Sequence, residues 1–227
     1  MRVHYIQAVV ASALLAVAAP GKQQAQVDGI IDKAVATYNK TKTSKGTFEQ
    51  AITNPLTGSV VKAIGAFEQQ RQPARFSFRF SQPKGDMIIG DGKWLWVYLP
   101  SSTPNQVIKM PMTEGGAGSL DLASRFFDSP KTRFAITDAG AATVGGRATR
   151  ALVLKPKSST EPFTQAKVWL DTNDGTLRQF ETAEPSGITR LVTITAVTPN
   201  APVDEKLFSF KAPKGARIVD QAVLGGR

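Results

Sequence analysis

The hydrophobic pattern of the chain changes period after about its first fifth. From Val27 the apolar residues fall at Val27, Ile30, Ile31, Ala34, Val35 and Tyr38. That spacing of three and four predicts a helix with one apolar stripe and Asp28 near its start. Beyond Lys45 the spacing drops towards two. "GTFEQAI" (46–52) and "GSVVKAIGAFEQQ" (58–70) flank the turn-like "TNPLT" and predict a hairpin. "RFSFRFSQP" (75–83) alternates cleanly, with Phe76, Phe78 and Phe80 on one face and Arg75, Ser77, Arg79 and Ser81 on the other. "DMIIGDGKWLWVYLP" and "NQVIKM" follow. After the loop "TEGGAG", "SLDLASRFFD" (119–128) predicts a short helix whose apolar positions Leu120, Leu122, Ala123, Phe126 and Phe127 wrap around more than one narrow stripe.

The remainder reads as strand after strand: "RFAIT", "RATRALVLKP", "AKVWLDT", "TLRQFETAE", "ITRLVTITAV" and "KLFSFKA". Their separators, "DAGAATVGG", "KSSTEP", "NDG", "PSG" and "PNAPVDE", carry turn residues. Short strands at regular spacing predict an antiparallel sheet. The fold class is therefore mainly β (α+β), one domain with two or three helices packed on the sheet. No linker or repeat divides it.

One hairpin raises a packing problem. A two-residue turn at Asp91-Gly92 pairs Gly90 with Lys93, Ile89 with Trp94, Ile88 with Leu95 and Met87 with Trp96. One face then carries Ile88, Leu95 and Val97, and the other Met87, Ile89, Trp94, Trp96 and Tyr98. Both faces are apolar, so both need cover. Helices plugging a curved sheet would cover one, and loops, a partner or lipid the other.

The amino terminus bears on where the protein works. Arg2 and His4 precede the uncharged, mostly apolar "YIQAVVASALLAVAA", and small residues follow. This is the layout of a secretory signal peptide over residues 1–25, with cleavage expected after Ala18, Ala19 or Ala25. Residues 26–227 form the expected mature domain of an exported protein. The chain of 227 residues has no cysteine, so it has no site for the lipid of a bacterial lipoprotein. Removal of Arg2 and Lys22 takes the formal charge from +10 to +8. No two basic residues are adjacent, a distribution that suits a solvated surface near anionic headgroups better than nucleic acid.

Reactive chemistry is sparse. The only histidine is His4, within the expected leader, so nucleophile–histidine sites and His- or Cys-ligated zinc have no residues to build them. "EGGAGS" lacks the ending of a phosphate-binding loop. "DTNDG" (171–175) lacks the ligand spacing and final Glu of a calcium loop, and reads as a hairpin turn. No metal or other cofactor is expected, and a binding protein is favoured over an enzyme such as a carboxylate-based hydrolase.

From Thr47 to Asp220 the chain resembles the LolA family of periplasmic outer-membrane lipoprotein carriers. The matching segments, in order, are "GTFEQ", "IGAFEQQ", "RQPARFSFRFSQP", "IIGDGKWLWVYLP", "LVLKPK", "AKVWLDTNDGTLRQFE" and "VDEKLFSFKAPKGARIVD". The resemblance implies an open, incomplete barrel capped by helices, whose hollow receives lipoprotein acyl chains. It implies as partners acylated lipoproteins, an inner-membrane lipoprotein-releasing ABC transporter and an outer-membrane acceptor, with the carrier itself a monomer. On this reading Phe76, Phe78, Phe80, Ile88, Leu95 and Val97 line the acyl-chain cavity, and Leu120, Phe126 and Phe127 belong to its lid. Trp96 and Tyr98 take the opposite face. The family's lid-fastening Arg directly precedes the Pro before the aromatic strand. Here the order is Arg71-Gln72-Pro73, so Arg71 is the displaced candidate, expected to hold the 119–128 helix. The alternative is a periplasmic lipid or lipoprotein sensor without carrier activity; sensors of this fold carry a further domain, for which residues 221–227 leave no room.

Overall fold

The computed structural model describes residues 20–112 and 122–220. A long helix, α1 (Pro20–Lys40), precedes strands β1 (Thr43–Thr53), β2 (Val60–Gln70), β3 (Arg75–Gln82), β4 (Met87–Gly90), β5 (Trp94–Tyr98) and β6 (Gln106–Pro111). Two short helices, α2 (Leu122–Phe127) and α3 (Pro130–Arg133), lead to β7 (Phe134–Val144), β8 (Arg147–Pro156), β9 (Gln165–Asp171), β10 (Leu177–Ala183), β11 (Thr189–Pro199) and β12 (Arg217–Asp220). The twelve strands of the described residues form one sheet in the order β12-β6-β5-β4-β3-β2-β1-β11-β10-β9-β8-β7. β12 and β7 are its two edges, so the curved sheet stays open.

The apolar stripe of α1 lies where its period placed it. Val27, Ile31 and Ala34 are buried in the main core, with Ile30, Val35 and Tyr38 packed at its margin. Among the described residues the helix already runs from Pro20, ahead of the start expected beside Val27. Its first turns carry exposed residues such as Gln24 and Gln26, which bury nothing and so leave no periodic signal.

Glycines let aromatic rings lie against the strands. Gly46 faces Phe67, Gly65 faces Phe48, and Gly90 faces Phe76 as cross-strand partners. A Cβ on Gly65 would stand 2.7 Å from the Arg79 carbonyl oxygen and 2.8 Å from Phe48 Cζ, and one on Gly90 would stand 2.6 Å from Phe76 Cε1. Each missing side chain leaves the space its aromatic partner fills, as in other sheets where aromatics cover glycines.

Three details differ from the sequence-based expectations. The β4–β5 hairpin pairs Gly90 with Leu95, Ile89 with Trp96, Ile88 with Val97 and Met87 with Tyr98, a register two residues away from the expected one. The Asp91 carboxylate accepts hydrogen bonds from the N–H groups of Lys93 (2.8 Å) and Trp94 (2.7 Å), so that both residues precede the first β4–β5 pair. A two-residue slip preserves side-chain parity, so each residue keeps its face. Next, "DAG" is a bulge inside β7 and not a turn: Gly140 has φ +92° and its N–H donates to Asp138, where the register shifts.

Finally, "KLFSFKA" is not a sheet strand. It forms a 3₁₀ turn at Glu205–Phe208, capped by the Asp204 side chain, which accepts from the Lys206 N–H. The strand that follows, β12, is too short to show a period, and it pairs parallel with β6.

This carboxy-terminal segment supplies the missing cover. Phe208 is buried, and Phe210 stacks on Trp96 with ring centroids 5.3 Å apart and reaches Tyr98 at 6.3 Å. Arg79 donates to the Leu207 carbonyl at 3.2 Å, and Arg75 pairs with Glu205 at 2.9 Å. Trp96 Nε1 donates to Asp91 at 2.8 Å, so the indole satisfies its polar edge beside an apolar stack. Trp96 and Tyr98 thus lie on the convex face.

Candidate functional site: an apolar hollow under a helix

The concave face is built from alternate residues of adjacent strands. Phe76 faces Gly90, Phe78 faces Ile88, Ile88 faces Val97, and Gly90 faces Leu95. Phe76, Phe78, Phe80, Ile88, Leu95 and Val97 therefore share one wall. Aromatic contacts extend it: Phe78 lies 5.8 Å from Phe48, 6.2 Å from Phe67 and 5.7 Å from Phe76, and Phe80 lies 5.5 Å from Phe48. Phe48 and Phe67 escaped the sequence-based site, although Gly46-Thr47-Phe48 and Gly65-Ala66-Phe67 repeat one spacing. Phe76 and Leu95 are buried, with Ile88, Val97, Met110 and Met112 partly buried around them.

The helices occupy the hollow. Phe126 and Phe127 of α2 are buried, Phe126 against Phe163 and Phe180 at 6.0 and 5.4 Å, and Phe127 against Tyr38 of α1 at 5.7 Å. Leu120 lies outside the described residues. Between the carboxy-terminal half of α1, the ends of β1–β3 and the α2–α3 segment runs a cleft of about 1110 Å³. Tyr38, Phe67, Phe76, Met112, Phe127 and Val197 are among its lining, and so is Arg71. The other expected wall residues continue the same face without lining this cleft.

Polar ties at its ends and sides hold α1 down. Arg71 donates from Nη1 to the Tyr38 carbonyl at 2.9 Å, and its guanidinium carbon stands 4.1 Å from the centre of the Tyr38 ring. Tyr38 belongs to the last turn of α1, where carbonyls lack intrahelical donors and positive charge is favoured. The guanidinium thus reaches the end of α1, not the 119–128 segment expected from sequence. On the other side Lys33 donates to the Thr172 carbonyl at 2.6 Å and Thr37 to the Asp174 carbonyl at 2.5 Å. Gly175 permits this approach, because it sits at φ +75° and a Cβ there would meet the Lys33 carbonyl at 3.0 Å. Asp32 pairs with Lys131 of α3 at 2.7 Å, an exposed contact of small energetic weight.

The acceptor turn is itself held rigidly. "DTNDG" joins β9 to β10, and the buried Asp171 carboxylate accepts from Arg147 at 2.7 Å, the Asn173 N–H at 2.9 Å and Arg178 at 3.0 Å. Burial alone would raise the Asp171 pKa, but these hydrogen bonds outweigh it and hold it at about 2. Among the described residues no group of three or more His, Cys, Asp or Glu side chains is placed to hold a metal ion.

An apolar wall, a helical cover and a cleft between them make a site for something apolar. Residues 39–211 match the profile of the family described as outer membrane lipoprotein carrier protein LolA.

The chain belongs to the LolA family.

Proteins named outer-membrane lipoprotein carrier protein are among its relatives. That of Haemophilus ducreyi is 30% identical over 177 residues, covering 77% of each chain. That of Cupriavidus necator is 26% identical over 222 residues, covering 95% of this chain and 97% of its own. Two solved structures share the fold. An uncharacterized conserved protein from Thermus thermophilus has a TM-score of 0.54 at 14% identity, with 87% of this chain and 99% of that chain covered. MucB has a TM-score of 0.51 at 14% identity, with 83% and 64% covered. At such identities these structures speak to the LolA-like fold alone.

Proposed function

We propose that this LolA-family protein is a periplasmic carrier that takes up the acyl chains of lipoproteins released from the inner membrane and delivers them to the outer membrane. The observation that carries the proposal is the cleft of about 1110 Å³ between a phenylalanine-rich wall and helix α1. Its volume lies just above the range of roughly 300–1,000 Å³ for ordinary ligand pockets. Each methylene withdrawn from water contributes about 0.8 kcal/mol, so several long chains gripped along their whole length would bind too tightly to be released. A helix that refills the hollow when cargo leaves solves this, because the wall is then covered in both states. Carriage, rather than catalysis, is the work such a site does.

The lid in this reading is α1 with α2, fastened by Arg71 at one side and by Lys33 and Thr37 at the other. Residues 1–25 act as a cleaved leader, the donor is an inner-membrane lipoprotein-releasing ABC transporter, and an outer-membrane acceptor takes the cargo from a monomeric carrier. The test is mass spectrometry of the native protein purified from the cell envelope. Co-purification of acylated lipoprotein is expected, with a mature amino terminus between Ala19 and Gln26. Native protein free of acylated species, and unable to move a purified lipoprotein from donor to acceptor membranes, would overturn the proposal.

A further inference from the structure

Arg190 stands apart from the machinery described so far. It lies on β11 between Ile52 of β1 and Thr182 of β10 as cross-strand partners. Two residues along β11, on the same face, is the core residue Val192, itself opposite Gln50 and Phe180. Its guanidinium is therefore on the concave side, in an apolar wall. It donates from Nη1 to the neutral Oε1 of Gln50 at 2.8 Å. Among the described residues no carboxylate forms an ion pair with it, and Glu184 acts on it only at longer range. Burial pulls its pKa below the usual arginine value, the sign of a desolvated cation without a counter-charge in contact. Several other arginines of this sheet have a carboxylate in contact: Arg150 has Asp138, Arg178 has Asp171 and Arg75 has Glu205.

Position adds a direction to the hollow. The cleft under Arg71 opens at the Thr43–Gln70 end of the β1–β2 pair, whereas Arg190 is opposite Ile52, near the other end. Thr43 and Ile52 are separated by roughly 30 Å of extended strand. That second end is wet, since Val61, the partner of Ile52, is 59% exposed. A guanidinium at the edge of water, with several donors and an apolar wall on one side, fits an oxygen-rich anion attached to a hydrocarbon chain.

We propose that Arg190 recognises the oxyanion head of an acylated amphiphile whose chain lies along the concave wall, so that the site selects for an anionic head as well as for an acyl tail. The inference rests on the acyl-binding reading above. Gln50 orients the guanidinium through its amide oxygen, leaving the remaining N–H groups for a phosphate or carboxylate.

The test uses the full chain and displacement of a bound fluorescent fatty acid, with competitors kept below micelle-forming concentrations. Palmitoyl-lysophosphatidic acid and monopalmitoylglycerol carry the same tail and differ by the phosphate. The phosphate lipid is expected to bind about tenfold or more tightly, the usual scale of a charge-assisted hydrogen bond. Arg190→Gln should erase that preference. Gln50→Glu, which places a carboxylate against the guanidinium and retains the cation, should erase it too, so the result does not depend on one variant folding. Inorganic phosphate at millimolar concentration should neither displace the probe nor abolish the preference.

Equal binding of the two lipids by the wild type, or a preference surviving in both variants, would overturn the inference and leave the acyl-binding reading intact. Abolition of the preference by inorganic phosphate would overturn it in favour of a free-anion site. Binding of neither the fatty-acid probe nor either lipid would overturn both readings.

Discussion

Arg71→Leu tests the fastening of helix α1 directly. The substitution removes a charged donor 2.9 Å from the Tyr38 carbonyl and a cation 4.1 Å from the Tyr38 ring centre. A hydrogen bond involving a charged group contributes about 1.5–3 kcal/mol, and a partly exposed cation–π contact about 0.5–1 kcal/mol. The Arg71 N–H bond to the Lys42 carbonyl, at 3.0 Å, is backbone and survives. The Tyr38 carbonyl also keeps the Thr41 N–H at 3.1 Å, so it is not left bare. A net loss near the lower end, about 2 kcal/mol, is therefore expected, which multiplies the open population of the lid by roughly thirty.

Hydrogen exchange reads this change without assuming a cargo. Amides in the last two turns of α1 should exchange about thirtyfold faster, while those of β2–β5 keep their protection. In a transfer assay the variant should hold lipoprotein longer, because the open wall stays available to acyl chains. Unchanged exchange in α1 together with normal delivery to acceptor membranes would refute the role assigned to Arg71.

Three further perturbations probe the wall, the anchor and the fold. Phe78→Glu places a carboxylate among Phe48, Phe67 and Phe76, at a cost of several kcal/mol unless it protonates; binding of a fluorescent acyl probe should be lost, and unaltered binding would remove Phe78 from the cavity wall. Asp171→Asn should destabilise the protein at pH 7 by about 2 kcal/mol in urea unfolding, because a pKa lowered from 3.8 to about 2 is stabilising wherever the carboxylate is ionised. The sign follows: this contribution is complete above the unfolded-state pKa and disappears as pH falls through about 2, so wild type and variant should converge in acid. Gly65→Ala forces a Cβ against the Arg79 carbonyl and Phe48 and should cost about 1–3 kcal/mol in thermal or urea unfolding, whereas the same change at exposed Gly29, where a Cβ meets nothing within 4 Å, should not destabilise the protein.

Much of this protein is written in local periodicity. The alternation of "RFSFRFS" and the apolar runs of β4 and β5 specify which side chains share a face, because a strand has a period of two whatever it pairs with. That is why the expected wall of Phe76, Phe78, Phe80, Ile88, Leu95 and Val97 came out on one side even though the hairpin register was displaced by two residues. The spacing from Val27 to Tyr38 likewise specifies the buried stripe of α1, since helical period and burial are both local consequences of one amphipathic pattern. The two-sided apolar strand around Trp96 announced a second cover without naming it.

The tertiary structure alone decided what lies across from what. Arg71 meets the end of α1 because the β2–β3 connection is folded beside residue 38, a proximity that spans 33 positions of sequence and has no periodic trace. Phe208 and Phe210 cover the convex face instead of joining the ladder because Asp204 turns the chain first, and a side-chain cap competes with strand pairing only once both are in place. Arg190 shows the same limit: in sequence it is one basic residue among many, and only the apolar neighbours assembled from β1, β10 and β11 turn it into a desolvated cation. Faces follow from short-range sterics, while partners follow from long-range packing that no single segment encodes.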